Sequence, residues 1–505
     1  MFSSYKKFLD IFNTKEKLDD ADVKKGIKMV TVDGICSSGM GTLQGGVFLS
    51  AFALAIGASN YEIGLLATFA FLSQLIQIPG LFLVRAFKKR RAIVFACASA
   101  SRMLWLFIIL IPLLFVDAGI SFLLQWLIIS MLVGAMAGPA WNSLLRDVLP
   151  SSVLGTTMAR RMMLGTILAL VLTLCGGYFV DWWKAAFPGA PLYAYSILFS
   201  LGLAFGIIGA LAITRMPENT LTVEESLPMR ELFAMPLKDM NFRSLIIFSG
   251  LWTFAINMAV PFFVIYMLKR IGFSLFMVTV FTVTSQVANI IFIRIWGRLA
   301  DRFSNKSVLA VSGPMFLLAI LGWTFTTMPE RYFLTVPLVF LIHILSGVSM
   351  AGVSLASGNI ALKLSPKKYA YSYMTIFGIM GAIAGSIAPM LGGVIADFFA
   401  VRELSFAINW SEPARQISVY ALNFKALDFL FFASFLAGIY AIHRLAFVKE
   451  EGEVDEKVVI DHLKEGVFSP FKHMSSVGGL RRMGFMPLSY MLKMKRKVFF
   501  NNGTG

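Results

Sequence analysis

Two stretches of this chain, Gly80 to Lys89 and Gly297 to Lys306, share one layout and stand 297 − 80 = 217 residues apart. The later copy reads Gly297-Arg298-Leu299-Ala300-Asp301-Arg302-Phe303-Ser304-Asn305-Lys306. It is a short charged turn between two long apolar segments, Ser274 to Ile295 and Ser307 to Thr327. Asp301, Arg302 and Lys306 need water or partners, so this turn lies outside hydrocarbon. Gly297 permits close helix packing or a tight exit. The same offset carries Asn142 onto Asn359, Arg146 onto Lys363 and Gly176 onto Gly393. Separate features in one register imply an internal duplication. The expected result is two similar bundles related by an axis along the membrane normal.

A lipid setting follows from composition. The 505 residues are 57% hydrophobic and 14% charged, with mean hydropathy +0.75, too apolar for a soluble globular protein. Segments long enough to cross a ~30 Å hydrocarbon core fall at approximately 31–56, 62–84, 92–116, 119–145, 160–180 and 192–214. They recur at approximately 243–267, 274–295, 307–327, 333–357, 370–397 and 420–446. The expected fold is therefore an all-α polytopic membrane protein with twelve transmembrane helices in two six-helix bundles.

Net charge is +17, and about 37 of the 45 Lys and Arg fall in loops on one side. That asymmetry reads as topology rather than nucleic-acid binding, and it makes both termini and the central connector cytoplasmic. The implied organisation is a polar N-terminal segment 1–30, a first bundle 31–214, a connector 215–242, a second bundle 243–447 and a tail 448–505. Thr14 reads as an N-cap, and Asp181-Trp182-Trp183-Lys184 as an outer aromatic belt. Ala400 to Tyr420 reads as an enlarged outer loop. The tail interleaves basic residues with Met and Leu like an interfacial segment for anionic headgroups.

At Gly297, Asp301, Arg302 and Lys306 the chain resembles the major facilitator superfamily of secondary transporters. Their hallmark turn is Gly-x-x-x-Asp-Arg-x-Gly-Arg/Lys-Arg/Lys; Ser304 and Asn305 depart from it. In the first copy Gly80 and Arg85 persist, whereas Val84 and Phe87 replace the Asp and the second Gly. The resemblance implies a multi-pass protein of the plasma membrane, or of the inner membrane in a Gram-negative cell. It also implies alternating-access transport of a small-molecule substrate with a coupling ion, by a monomer. A lipid or lysolipid flippase, and a non-transporting sensor or scaffold, are the competing readings.

Polar groups inside spans are the candidates for chemistry, because a charge at a helix centre costs about 2.5–3.5 kcal/mol on insertion scales. Arg102 sits near mid-depth of the third span and needs a partner, from among Asp33, Gln44, Gln74 and Gln77. It is either a substrate or ion contact or a buried tie between helices. His343 lies at similar depth in the tenth span and can exchange protons near neutral pH. The resemblance places that helix at the central cavity; a packing His is the alternative. Asn257 is a further candidate on the seventh span. Asn142 and Arg146, like Asn359 and Lys363, share a helix face at i, i+4 and are expected to satisfy cytoplasmic helix ends and bias a gate. Cys36, Cys97 and Cys175 all lie in apolar segments, so neither a disulfide framework nor a metal site is indicated. No phosphate loop, carboxylate pair at depth or Cys/His ligand spacing points to an enzyme or a cofactor.

Overall fold

The computed structural model describes residues 14–472 except 17, 88, 115–118, 221–228, 328–329, 367–368 and 413–414. The amphipathic part of the tail, 473–505, therefore lies outside the described residues. Among those described, ten helices are long and apolar enough to cross a membrane.

The first two expected spans are each interrupted. Helix α1, Asp20–Gln44, gives way at Gly45 to α2, Gly46–Ala55. Gly45 is extended and Gly46 has φ +51°, a conformation that only glycine adopts at little cost. Helix α3, Asn60–Leu75, similarly breaks at Ile76 before α4, Gln77–Phe87. The expected N-cap at Thr14 is not used. The cap is Asp19, which exchanges hydrogen bonds with Asp22 in a capping box, because an acid two turns before the apolar run serves the helix start better. Lys15 instead pairs with the segment around Glu218.

The rest of the first half comprises α5 Arg90–Leu114, α6 Gly119–Val148, α7 Ser151–Ala186 and α8 Tyr193–Thr214. A short connector helix α9, Met229–Lys238, leads to α10 Met240–Ile271, α11 Leu275–Arg302, α12 Asn305–Phe325, α13 Thr335–Leu364 and α14 Ala370–Phe399. The enlarged loop is corrected to a β-hairpin, β1 Glu403–Glu412 with β2 Arg415–Lys425, so the fold is mostly rather than wholly helical. Alternation of apolar and polar residues over Leu404 to Trp410 is the strand signal. The last span accordingly begins later than residue 420, with α15 Leu427–Leu445, before the tail helix α16 Glu456–Lys472.

The two halves meet through α3 against α14 and α7 against α11. Glycines allow this approach: a Cβ on Gly64 would stand 2.3 Å from Pro389 O, and one on Gly393 would stand 2.6 Å from Tyr61 Cα. Thr68 Oγ1 donates to Ser386 O at 2.8 Å across the same seam. At the loop end Asp397 accepts from Asn60 Nδ2 at 2.8 Å and Tyr61 N at 2.9 Å. Asp181 accepts from Leu275 N and Phe276 N, capping α11 from the other half. One end of the seam is thus closed by hydrogen bonds.

Candidate functional site

Toward the opposite end, where the basic turns lie, the halves diverge around a cavity of about 750 Å³. Its wall takes Gln74 and Gln77 from the α3–α4 region, Asn142, Ser143 and Arg146 from α6, and Ser249, Trp252 and Thr253 from α10. Ser357 of α13 and Thr375, Phe377 and Gly378 of α14 complete the far side. The surface combines amides and hydroxyls with aromatic faces, and among the described residues Arg146 is the charged group on it. That composition suits a solute with both an apolar face and hydrogen-bonding groups. Asn142 and Arg146, expected at a helix end, stand on this wall. Their counterparts do not: Asn359 is exposed, and Lys363 Nζ reaches Glu450 at 2.9 Å.

Of the four groups considered for Arg102, Asp33 is the one that reaches it, Oδ1 to Nη2 at 3.8 Å. Arg102 Nη1 also donates to Gly206 O at 2.6 Å. A third member was not foreseen: Arg161 of α7 lies 3.4 Å from Asp33 Oδ2. Its guanidinium crosses Gly34, where any Cβ would collide, and lies 5.4 Å from the Trp141 ring centre. One buried carboxylate thus ties α1 to α5 and α7 through two arginines. Gln44 instead donates to Phe199 O, Gln74 pairs with Gln77, and Asn257 donates to Thr253 O on its own helix. His343 is buried, its Nδ1 2.9 Å from Val339 O, stacked on Phe281 and edge-on to Trp323. It is absent from the cavity wall.

Comparison with known proteins bears directly on this arrangement. Residues 34–389 match the profile of the Major Facilitator Superfamily. The chain belongs to the major facilitator superfamily. Over 126 residues it is 29% identical to the multi-drug resistance efflux pump PmrA of Streptococcus pneumoniae, spanning 25% of this chain and 29% of that one. Over 128 residues it is 28% identical to the uncharacterized MFS-type transporter YxiO of Bacillus subtilis, spanning 28% of it. The match therefore covers under a third of either relative. Structures of the nucleoside transporter NupG share the fold with TM-scores of 0.63 and 0.59 at 13% and 12% identity, over 85% of this chain and 100% of that one. A D-xylose-proton symporter does so at 0.60 and 13%, over 86% and 100%. Membership and the apolar helices make this a multi-pass membrane protein of a transporter family.

The superfamily's hallmark turn is the end of α11. Asp301 and Arg302 are exposed there, and Asp301 forms no ion pair among the described residues. Gly297 has room around it, whereas a Cβ on Gly80 would stand 2.6 Å from Met136 O. Arg85 lies on α4, and its side chain is outside the described residues. Each turn is held from behind by a glutamate that sequence reasoning missed. Glu218, just after α8, accepts from Arg90 N at 2.6 Å, with Arg90 Nε at 3.5 Å and Arg91 Nε at 4.0 Å. Arg90 also binds Asp147 and Asn219. Glu450, just after α15, accepts from Lys306 N, Asn305 Nδ2 and Lys363 Nζ at 2.7, 2.9 and 2.9 Å. Burial pushes the Glu450 carboxyl up, but the bonds from Lys363, Lys306 N and Asn305 outweigh it and hold it below its ordinary value.

Proposed function

We propose that this protein is a secondary active transporter of a small solute, with the interrupted pairs α1–α2 and α3–α4 each forming one span, making twelve. The cavity between two halves sealed at their other end carries this reading: it is the geometry of one face of an alternating-access cycle. The excess of Lys and Arg at the open end makes that end, the connector and both termini cytoplasmic, so the conformation is inward-facing. The wall suits a small amphipathic organic solute, in keeping with the nucleoside and D-xylose transporters that share the fold.

Coupling to a proton or other cation gradient is assigned to Asp33, whose single carboxylate answers two arginines and whose charge state would alter how α1, α5 and α7 are tied. Flux measurements in proteoliposomes test the whole. Gradient-driven movement should fall with Trp252→Ala and with Asn142→Ala at equal incorporation, and cross-linking Thr68→Cys to Ser386→Cys should stop it. Flux that ignores the gradient and both wall substitutions sinks the reading, as does full activity in the cross-linked protein.

A further inference from the structure

The hairpin between α14 and α15 has no role in the cavity, the seam or either turn. Along β1, Leu404, Phe406, Ile408 and Trp410 alternate with Ser405, Ala407, Asn409 and Ser411. Phe406, Ile408 and Trp410 are 57%, 67% and 64% exposed. The antiparallel register sets apolar residues opposite one another: Leu404 with Phe424, Phe406 with Leu422, Ile408 with Val419, Trp410 with Ile417. Alternate residues of a strand share a face, so Leu404, Phe406, Ile408 and Trp410 make one side of β1 apolar from its root to Trp410.

A two-stranded ribbon is marginal in water, and an exposed apolar strand is an association hazard there. This one starts four residues after α14 ends at Phe399 and stops two residues before Leu427 begins α15. It is therefore rooted where two membrane helices leave hydrocarbon. Ten residues at ~3.3 Å each reach about 33 Å along that surface. The apolar strip continues the outward faces of its flanking helices, where Phe398, Val394 and Phe432 are also exposed. At the root, Lys269, Arg270, Arg402 and Lys425 surround a pocket of about 480 Å³ with Asn60 and one carboxylate, Glu403. Lys425 pairs with Glu403 at 3.0 Å, and Arg402 lies over the Phe398 ring at 3.7 Å. Glu403 answers Lys425 and Asp428 lies within electrostatic reach of Arg270, so the lining still carries an excess of cations, which at the headgroup level favours a negatively charged lipid phosphate.

We propose that the Glu403–Lys425 hairpin lies on the bilayer surface, its Leu404-Phe406-Ile408-Trp410 face in the acyl boundary, with the basic pocket at its root holding the headgroup of an anionic phospholipid. Aromatic residues, Trp above all, favour that depth. The test uses full-length protein in nanodiscs, with Cys36→Ser, Cys97→Ser and Cys175→Ser as background. An environment-sensitive fluorophore is attached at Trp410→Cys or, facing the other way, Ser411→Cys. Doxyl-labelled lipid should quench position 410 several-fold more than 411, and aqueous iodide the reverse. Equal iodide quenching at both positions overturns the proposal. So does cross-linking of Trp410→Cys between two copies without lipid quenching, which would give the face to a second molecule. For the pocket, native mass spectrometry should show wild type retaining phosphatidylglycerol over phosphatidylcholine several-fold. Arg402→Glu with Lys425→Glu should lose that preference while remaining monodisperse. Unchanged retention, or displacement of the lipid by millimolar inorganic phosphate, overturns the headgroup assignment.

Discussion

Asp33, Arg102 and Arg161 fill the interior of the first half with charge, whereas the 217-residue register carries them onto Gly250, Ala319 and Gly378 in the second. A Cβ at Gly250 or Gly378 would meet nothing within 4 Å, and Gly378 stands on the cavity wall. The first half thus holds a charged brace behind the cavity, and the second leaves room at two of the three matching positions, one of them on the cavity wall. The difference teaches that residues 217 apart need not enclose the same chemistry: one half is fixed by ion pairs and the other offers volume to a solute.

The largest effect should come from breaking the brace. Asp33→Asn leaves the buried Arg102 and the half-buried Arg161 without their counter-charge, a loss of about 3–5 kcal/mol for a buried pair. Thermal unfolding in detergent should fall accordingly, and gradient-driven flux should vanish. Wild-type stability in Asp33→Asn would erase the contrast between the halves. Filling the room is the converse experiment. Gly378→Leu puts a good helix former where space exists, so the unfolding temperature should hold while flux drops at least tenfold by the barrier of lost volume. Unaltered flux would remove this cavity from the pathway.

The two glutamates behind the turns differ in the same sense. Glu218 is enclosed by Arg90 and Arg91, but Glu450 shares its clasp with Lys363, whose side chain is 46% exposed. Glu450→Gln should cost about 1.5–3 kcal/mol, the range for hydrogen bonds to a charged group, and hasten proteolysis between residues 451 and 472. Because the folded carboxyl lies below its ordinary value of 4.5, its contribution is complete above about pH 4.5 and fades as pH falls through the folded value. Wild type in acid should therefore be cleaved like Glu450→Gln at pH 7. Identical cleavage of both at both pH values would detach Glu450 from tail docking.

Asp301 offers a finer separation of fold from transport. It is exposed and unpaired among the described residues, so Asp301→Asn should change stability by under about 0.5 kcal/mol. Its flux should nonetheless fall by more than for any single change in the first turn, which has Val84 at this place. Such a result locates the work of Asp301 in the conformation with the cavity end closed. Equal flux at equal expression would deny it.

Membrane-crossing helices, the charged turn of the family and a short set of partners for Arg102 that included Asp33 were readable from sequence because each leaves a local trace: apolar length, a motif, a charge in a span. Arg161 was passed over because it stands beside Arg160 at the very start of its span, where arginine is ordinary. Glu218 and Glu450 escaped for a different reason. They stand 450 − 218 = 232 residues apart, 15 off the common register, because the hairpin lengthens the second half before its last helix. Counting from the end of each bundle, rather than along the chain, would have aligned them. The hairpin itself was legible as period-two alternation but was read as an enlarged outer loop.

The smallest expected effect on transport concerns His343. Its register partner in the first half is Trp126, so the histidine occupies a position that the other copy fills with an aromatic ring. The ring is stacked 5.3 Å from Phe281 and edge-on 5.4 Å from Trp323, and Nδ1 faces the backbone oxygen of Val339. A charged imidazolium there would have no carboxylate among these neighbours to answer it. A neutral ring, by contrast, packs like the tryptophan it replaces. His343→Gln should therefore lower stability by about 1 kcal/mol or so, the usual scale for a core change that keeps a hydrogen bond. The pH profile of transport should stay where it is in wild type, while Asp33→Asn abolishes the gradient dependence altogether. A shifted profile in His343→Gln would place proton exchange in the second half and reverse the division of labour between the two copies.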